Sequence, residues 1–249
     1  MNGLMKKIED RMLFLKTNLC AGLDPDISYF QSPTEDSIFL WAKSIIDDSE
    51  KYVCCYKVNY AFFQQFDIQG LRAMKSVIRY AKSKAPVIID SKVSDIGNTC
   101  MAYAKAMSDV WMADCVTFNP YMSLESVKHF LDNKCGVFVL TKTSNDSFIQ
   151  NKVYLNIVKN TLNKYKESDI GFVVGGNKLK YIKSIRRLSS NCFLLCPGIG
   201  NQGGKLFDIL DSAWGNYGRV IVPSSRMIAE SSDRISLLES LVKENRKFY

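Results

Sequence analysis

The sequence is poor in the residues that build metal centres and lacks the spacings that build disulfide scaffolds. It has one histidine, His129, and its eight cysteines are scattered without a CxxC pair. A metal centre is therefore not indicated, and cysteines that lie mostly inside apolar runs are typical of buried thiols in a reducing compartment. We expect a cytoplasmic protein that holds no metal.

Long apolar runs and low-complexity segments are also missing. No apolar run reaches the roughly 18 residues that a membrane-spanning helix needs, and residues 1–10 are charged and amphipathic, unlike a signal peptide. No linker or break in composition divides the chain. We expect one domain that does not associate with a membrane.

Acidic residues are outnumbered, 25 against 33 lysines and arginines, which gives a formal net charge of +8. The basic residues are dispersed, and no basic run is interleaved with aromatic residues as a nucleic-acid groove would require. We therefore expect no nucleic-acid partner. An anionic small substrate is compatible with this charge.

What the sequence does contain is a series of short, nearly continuous apolar runs, which are typical of parallel strands covered on both faces. Segments with helical periodicity separate them, for example residues 96–111 and 235–242, and Thr34 before two acids is typical of a helix start. The predicted strands are residues 19–23, 52–58, 86–89, 115–118, 136–140, 171–174, 192–196 and 219–222.

This unbroken alternation predicts the α/β class and, within it, a (β/α)8 TIM barrel. We expect residues 1–249 to form a single barrel domain, with residues 1–17 as an N-terminal helix that closes the barrel bottom. An open doubly wound sheet is the alternative, but such sheets more often have about five to seven strands.

Polar residues follow most of the predicted strands. Barrels of this type carry their chemistry at the carboxyl ends of the strands, so these residues are predicted to face one mouth. They include Asp24, Lys57, Asn59, Asp90, Lys92, Asn119, Ser144, Ser225 and Arg226, and the segment that begins at Pro197 follows the seventh strand.

The most informative stretch is residues 90–95, DSKVSD, directly after a predicted strand. Side chains two apart on a strand share a face, so Asp90 and Lys92 should project together, with Asp95 following in the loop. A lysine held between carboxylates is suited to deliver a proton to a developing carbanion. A surface ion-pair cluster is the plainer interpretation of the same six residues.

A glycine loop, residues 198–203, spells GxGxxG after the seventh predicted strand. The dinucleotide-binding fingerprint normally opens the first unit of its domain, and an acid ends the next strand, whereas here Arg226 follows that strand. Glycine backbone N–H groups and an arginine fork bind phosphate. We favour a phosphomonoester site, with an NADP-dependent oxidoreductase as the alternative.

These motifs resemble the orotidine 5′-phosphate decarboxylase family over nearly the whole chain. The most specific stretches are residues 90–99 (DSKVSDIGNT), 119–122 (NPYM), 142–145 (KTSN) and 197–203 (PGIGNQG), with GLDP at 22–25 and KVN at 57–59. The resemblance implies conversion of orotidine 5′-phosphate to UMP and CO2 in de novo pyrimidine biosynthesis, with no cofactor.

The resemblance also implies a role for each charged residue. Lys92 protonates C6 of the pyrimidine as CO2 leaves, and Asp90 lies beside the substrate carboxylate and holds Lys92. Asp24 and Lys57 bind the ribose hydroxyls and complete an alternating acid–lysine array, with Asn59 nearby.

Further roles concern the second subunit and the rest of the substrate. Asp95, a catalytic residue, and Thr99 are implied to reach the neighbouring subunit's site, so a homodimer with shared active sites is expected. Ser144 is implied to bind the pyrimidine, and Gln202 and Arg226 the phosphate. Association with orotate phosphoribosyltransferase is a further expectation. Other substrate-binding residues of the same motifs are Asn119, Pro197, Gly203 and Ser225.

Two alternatives stay open at this point. Related barrels with a similar Asp-x-Lys-x-x-Asp motif act on sugar phosphates with magnesium through an enediolate. A nucleotide-binding or regulatory barrel that kept the pocket and lost turnover is the non-enzyme alternative, and the intact set Asp24, Lys57, Asp90, Lys92 and Asp95 argues against it.

Overall fold

A closed barrel of eight parallel strands is the centre of the computed structural model, which describes residues 3–199 and 203–249. The strands pair in chain order, and β8 pairs with β1 through Leu19 and Val222 to complete the ring. The predicted TIM barrel is therefore confirmed. The strands are β1 Leu19–Leu23, β2 Cys55–Asn59, β3 Val87–Val93, β4 Cys115–Phe118, β5 Gly136–Lys142, β6 Ile170–Val174, β7 Phe193–Leu195 and β8 Val220–Ser224.

Helices alternate with the strands, as the periodicity predicts. None of those in the described part of the chain combines the length and apolar character needed to cross a bilayer. Their bounds are α1 Lys6–Leu15, α2 Glu35–Ser49, α3 Tyr60–Gln64, α4 Asp67–Lys82, α5 Gly97–Lys105, α6 Val127–Asp132, α7 Phe148–Lys164, α8 Leu179–Leu188, α9 Leu206–Ala213, α10 Arg226–Ala229 and α11 Arg234–Asn245.

The core has two layers. The larger buried cluster fills the space between strands and helices, with Val58, Val116 and Val222 among its strand residues. The smaller cluster contains the alternate strand residues, such as Ile88 and Phe138, which face the barrel interior. Side chains therefore fill the lower interior, and only the carboxyl-end mouth is left open for a ligand.

Strand β3 departs from the predicted pattern in a way that shapes this mouth. It continues past Ile89 to Val93, and its register against β4 shifts between those two residues. Lys92 lies inside the irregular stretch with a left-handed φ of 52°. A bulge of this kind re-aims side chains, so simple two-residue alternation does not describe residues 90–92.

Candidate active site

A cavity of about 480 Å³ opens at the carboxyl ends of the strands. Each of the eight strands, or the loop that follows it, contributes to its wall. The apolar part of the wall is formed by Leu140, Val173, Leu195 and Pro223. Most of the residues that the sequence predicted for the site also line the cavity: the polar residues Asp24, Lys57, Asn59, Asp90, Lys92, Ser144, Ser225 and Arg226, and the apolar Pro197.

Two lysines and two aspartates form a continuous charged array in this wall. The Lys57 ammonium lies 3.3 Å from a carboxylate oxygen of Asp24 and 3.3 Å from Oδ2 of Asp90. Lys92 Nζ donates to the other oxygen of Asp90 at 2.6 Å. The carboxyl ends of β1, β2 and β3 thus place Asp24, Lys57, Asp90 and Lys92 side by side in that order.

Burial makes the ionisation of this array interdependent. Burial alone would lower the pKa of Lys57, whose side chain is 6% exposed, but the carboxylates of Asp24 and Asp90 outweigh it and raise that pKa. Burial likewise opposes the charge of Asp90, and the two lysines overcome it and lower the Asp90 pKa to about 2. Both groups are therefore charged at neutral pH.

The two lysines differ in their access to the cavity. Lys57 is enclosed, whereas the Lys92 side chain is 48% exposed and lines the cavity. Lys92 therefore presents its ammonium to any molecule bound there, while Asp90 fixes its position from behind. An accessible, carboxylate-held ammonium can stabilise negative charge on a ligand atom and can donate a proton to it.

Thr117 of β4 is a wall residue that sequence reasoning missed. Its hydroxyl donates to Asp90 Oδ1 at 2.9 Å and accepts the backbone N–H of Lys92 at 2.9 Å. A threonine inside an apolar strand carries little sequence signal, because threonine is common in strands for packing reasons. Asp26, Tyr29 and Phe62 were missed as well, and they line the cavity from the segment after β1 and from α3.

The loops after β7 and β8 supply the arginine side of the cavity. Arg226 lines it with Ser225, Pro197 and Gly198. A Cβ atom on Gly22 would lie 1.9 Å from Ser225 Oγ, so glycine is required in β1 for Ser225 to approach. Gln202, the predicted phosphate ligand, lies outside the described residues, and its neighbour Gly203 does not line the cavity.

The segment after β5 brings Ser144 to the cavity and is held from behind. The buried Lys142 ammonium donates to the carbonyl oxygen of Asn145 at 2.9 Å. Gln150 Oε1 accepts the Thr143 N–H at 3.0 Å and its hydroxyl at 2.9 Å. Ser144 therefore stands on a tethered loop, and its hydroxyl is available to a ligand.

Besides Gly203, three predicted site residues of the described chain lie outside the cavity wall: Asp95, Thr99 and Asn119. The carboxylate of Asp95 accepts the N–H of Ile96 at 2.8 Å, and the Lys92 ammonium donates to Asp90 rather than to Asp95. Thr99 is exposed on α5. The Asn119 side-chain oxygen accepts the N–H of Tyr121 at 3.1 Å and so shapes the turn after β4. In the single chain, none of these three residues lines the cavity.

These features define a (β/α)8 barrel that carries a charged acid–lysine array and an arginine around one cavity at its carboxyl-end mouth. A comparison with protein-family models matches residues 17–240 to the Orotidine 5′-phosphate decarboxylase / HUMPS family. The chain belongs to this family, and the resemblance inferred from the motifs is confirmed.

Individual relatives agree over nearly the whole length. The orotidine 5′-phosphate decarboxylase of Flavobacterium johnsoniae is 33% identical, over 97% of this chain and 94% of the relative. The OMP decarboxylase structure from Leishmania donovani has a TM-score of 0.86 at 25% identity, covering 99% of this chain and 98% of its own. The UMP synthase of the same organism matches with a TM-score of 0.84 at 28% identity, over 98% of this chain and 55% of its own.

Proposed function

We propose that this protein decarboxylates orotidine 5′-phosphate to UMP and CO2, a step of de novo pyrimidine biosynthesis. The observation that carries the proposal is the acid–lysine array with Lys92 facing the cavity. The curated relatives that bear the decarboxylase name support it.

In the proposed step the bond between C6 and the carboxylate carbon breaks, and its electron pair stays on C6. Lys92 gives C6 a proton, CO2 leaves, and the neutral amine takes a proton back from solvent. The ammonium lowers the energy of the carbanion because it is already in place before charge develops. Asp90 holds the ammonium and adds repulsion toward the substrate carboxylate.

The rest of the cavity fits the remaining parts of the substrate. We assign the ribose hydroxyls to Asp24, Lys57 and Asn59, and the pyrimidine ring to Ser144. The phosphate belongs to Arg226, whose guanidinium can make paired charge-assisted hydrogen bonds. Further proposed ligands are Pro197, Gln202, Gly203, Ser225 and Asn119. Binding energy from the phosphate, remote from the reacting carbon, can orient the ring.

We further propose a homodimer in which Asp95 and Thr99 complete the partner's site. Neither residue reaches the cavity of its own chain, and both lie on or next to α5. Large apolar side chains are exposed along α5, on the segment that continues it and in the turn after β4, and exposed apolar groups of this kind are typical of contact faces. They are Ile96, Met101, Tyr103, Val110, Tyr121 and Met122.

The reaction is proposed to need no metal or other cofactor and to take place in the cytoplasm. Orotate phosphoribosyltransferase, which supplies the substrate, is the proposed enzyme partner. The Leishmania donovani UMP synthase, whose chain is longer than this one, is the relative that prompts this assignment.

The direct test follows the ultraviolet absorbance change on incubation with orotidine 5′-phosphate, with and without EDTA. We expect turnover that EDTA leaves unchanged. Loss of activity in EDTA would favour the magnesium-dependent sugar-phosphate chemistry of related barrels instead. Absence of turnover together with tight UMP binding would point to a regulatory barrel.

We expect Lys92→Ala to abolish CO2 release and to leave UMP binding largely intact. The reason is that UMP is held by the ribose and phosphate ligands, whereas Lys92 acts on the reacting carbon. Release of CO2 and calorimetric UMP affinity are the two measurements. Unchanged turnover in this variant would show that the proton donor is another group.

A further inference from the structure

The bulge in β3 leaves residues 90–92 without regular backbone partners on the β4 side, although Asp90 stays in register with Asn59 of β2. Ile89 is paired with Val116, and the next pair is Val93 with Phe118. Residues 90–92 therefore stand opposite Thr117 alone. A strand irregularity of this size leaves backbone groups unpaired unless a side chain replaces the missing ladder bonds.

Thr117 supplies that replacement with a single hydroxyl. Its oxygen accepts the Lys92 N–H, and its hydrogen goes to Asp90 Oδ1, both at 2.9 Å. The residue is 1% exposed, so water does not compete for these bonds. The same hydroxyl thus fixes the backbone of one residue and the carboxylate of the other.

The backbone that Thr117 holds is a strained one. Lys92 has a φ of 52°, a region that lysine rarely adopts and that persists only where the surroundings impose it. If the Lys92 backbone relaxed to an extended conformation, its side chain would point in a different direction and would no longer line the cavity. Asp90 Oδ1 would also lose one of its two donors, Thr117 and Lys92.

From this geometry we infer that Thr117 is a positioning residue of the reaction: its hydroxyl holds the strained Lys92 backbone and orients the Asp90 carboxylate, so that one carboxylate oxygen faces Lys92 and the other faces Lys57. The inference rests on the proposed decarboxylation. It adds a residue that acts through Asp90 and Lys92, without a role in proton transfer itself.

The test compares Thr117→Val, which keeps the shape and removes the hydroxyl, with Thr117→Ser, which keeps the hydroxyl. We expect the valine variant to lose about 10- to 100-fold in kcat, because small displacements of reacting groups cost this much. Its affinity for UMP should stay within about threefold of wild type, and serine should restore kcat to within a few-fold.

Thr141→Val is the matched control. Thr141 is a fully buried threonine on the neighbouring strand β5, its hydroxyl donates to the Val139 carbonyl at 3.0 Å, and it does not line the cavity. We expect its kcat to match wild type. If the valine variant at 117 does not fold, Thr117→Cys, which has the unbranched skeleton of serine and a thiol that is only a weak donor, replaces it in the comparison with serine.

Two results would overturn the inference. One is wild-type kcat in folded Thr117→Val, and the other is an equal loss in Thr117→Ser and Thr117→Val. Failure of the proposed function is distinguishable, because in that case wild type itself does not decarboxylate orotidine 5′-phosphate. If wild type is active and Thr117→Val is equally active, only the proposed role of Thr117 is rejected and the proposed decarboxylation stands.

Discussion

Asp90 is the residue on which both the stability and the chemistry of the site depend, because it touches both lysines and Thr117. Its pKa of about 2 lies below the value of about 4 for an unfolded aspartate. The folded state therefore binds this proton less tightly than the unfolded state. The stabilisation is present in full above about pH 4 to 5 and is lost as the pH falls toward 2.

We expect Asp90 to contribute about 2 to 3 kcal/mol of this acid-sensitive stability, of which roughly 1 kcal/mol is lost between pH 5 and pH 3. Urea unfolding of wild type and Asp90→Asn at both pH values measures it. The Asp90→Asn curve should change less over this interval. Asp132→Asn, at an exposed acid on α6, should keep the wild-type dependence. Equal pH dependence in all three proteins would contradict the assignment.

The charged residues of the site could be predicted because the apolar runs in the sequence show where each strand ends. Asp24, Lys57, Asp90 and Lys92 each follow or end an apolar run, and a barrel brings such ends together. Thr117 could not be found this way, since its role depends on a register shift between two strands. Two-residue alternation predicted that Asp90 and Lys92 lie together, and they do. The structure gives a different reason, because a bulge and not regular alternation sets their directions.

At the scale of whole elements, the sequence predicted which strands and helices are present better than it predicted how long the strands are. Helix α2 begins directly after Thr34, as predicted. The Thr34 hydroxyl accepts the Ser37 N–H at 3.1 Å, and the Ser37 hydroxyl accepts the Thr34 N–H. Strands β3 and β5 run two or more residues beyond their apolar runs. The added residues include Asp90 and Lys92, which line the cavity, and Thr141 and Lys142, which are buried beside it. Hydrophobic pattern does not report strand structure through such polar residues.

We propose that α1 closes the amino-terminal end of the barrel. Ile8 and Met12 of this helix, with Met5 before it, share a buried cluster with interior strand residues such as Cys20 and Ile88. The helix therefore covers apolar side chains that would otherwise contact water at that end.

Ile8→Ala should lower the free energy of unfolding by about 2 to 4 kcal/mol, because it leaves a cavity in this cluster. Leu13→Ala on the same helix is the control, since Leu13 is 53% exposed, and its effect should stay within about 0.5 kcal/mol. Urea unfolding measures both. Similar small effects in the two variants would mean that α1 is a peripheral helix.

For the molecule as a whole, the proposed division of site residues between two chains has a direct test. Asp95→Ala and Lys92→Ala homodimers should each be inactive. A mixed dimer has one site with both wild-type residues, so mixing should restore up to about a quarter of wild-type activity when half of the dimers are mixed. The measurement is decarboxylation after subunit exchange, verified by native mass spectrometry. Verified exchange without recovery would show that Asp95 does not act across the interface.

The pairing of β1 with β8 also has a consequence for how the protein is made. Leu19 and Val222 are roughly 200 residues apart, so a ribosome adding about 5 to 20 residues per second needs on the order of 10 to 40 seconds to make one partner after the other. For most of that interval the nascent chain carries Asp24 and Lys57 without the strand that precedes Arg226. The set of residues that line the cavity is therefore complete only when Met227 has been added.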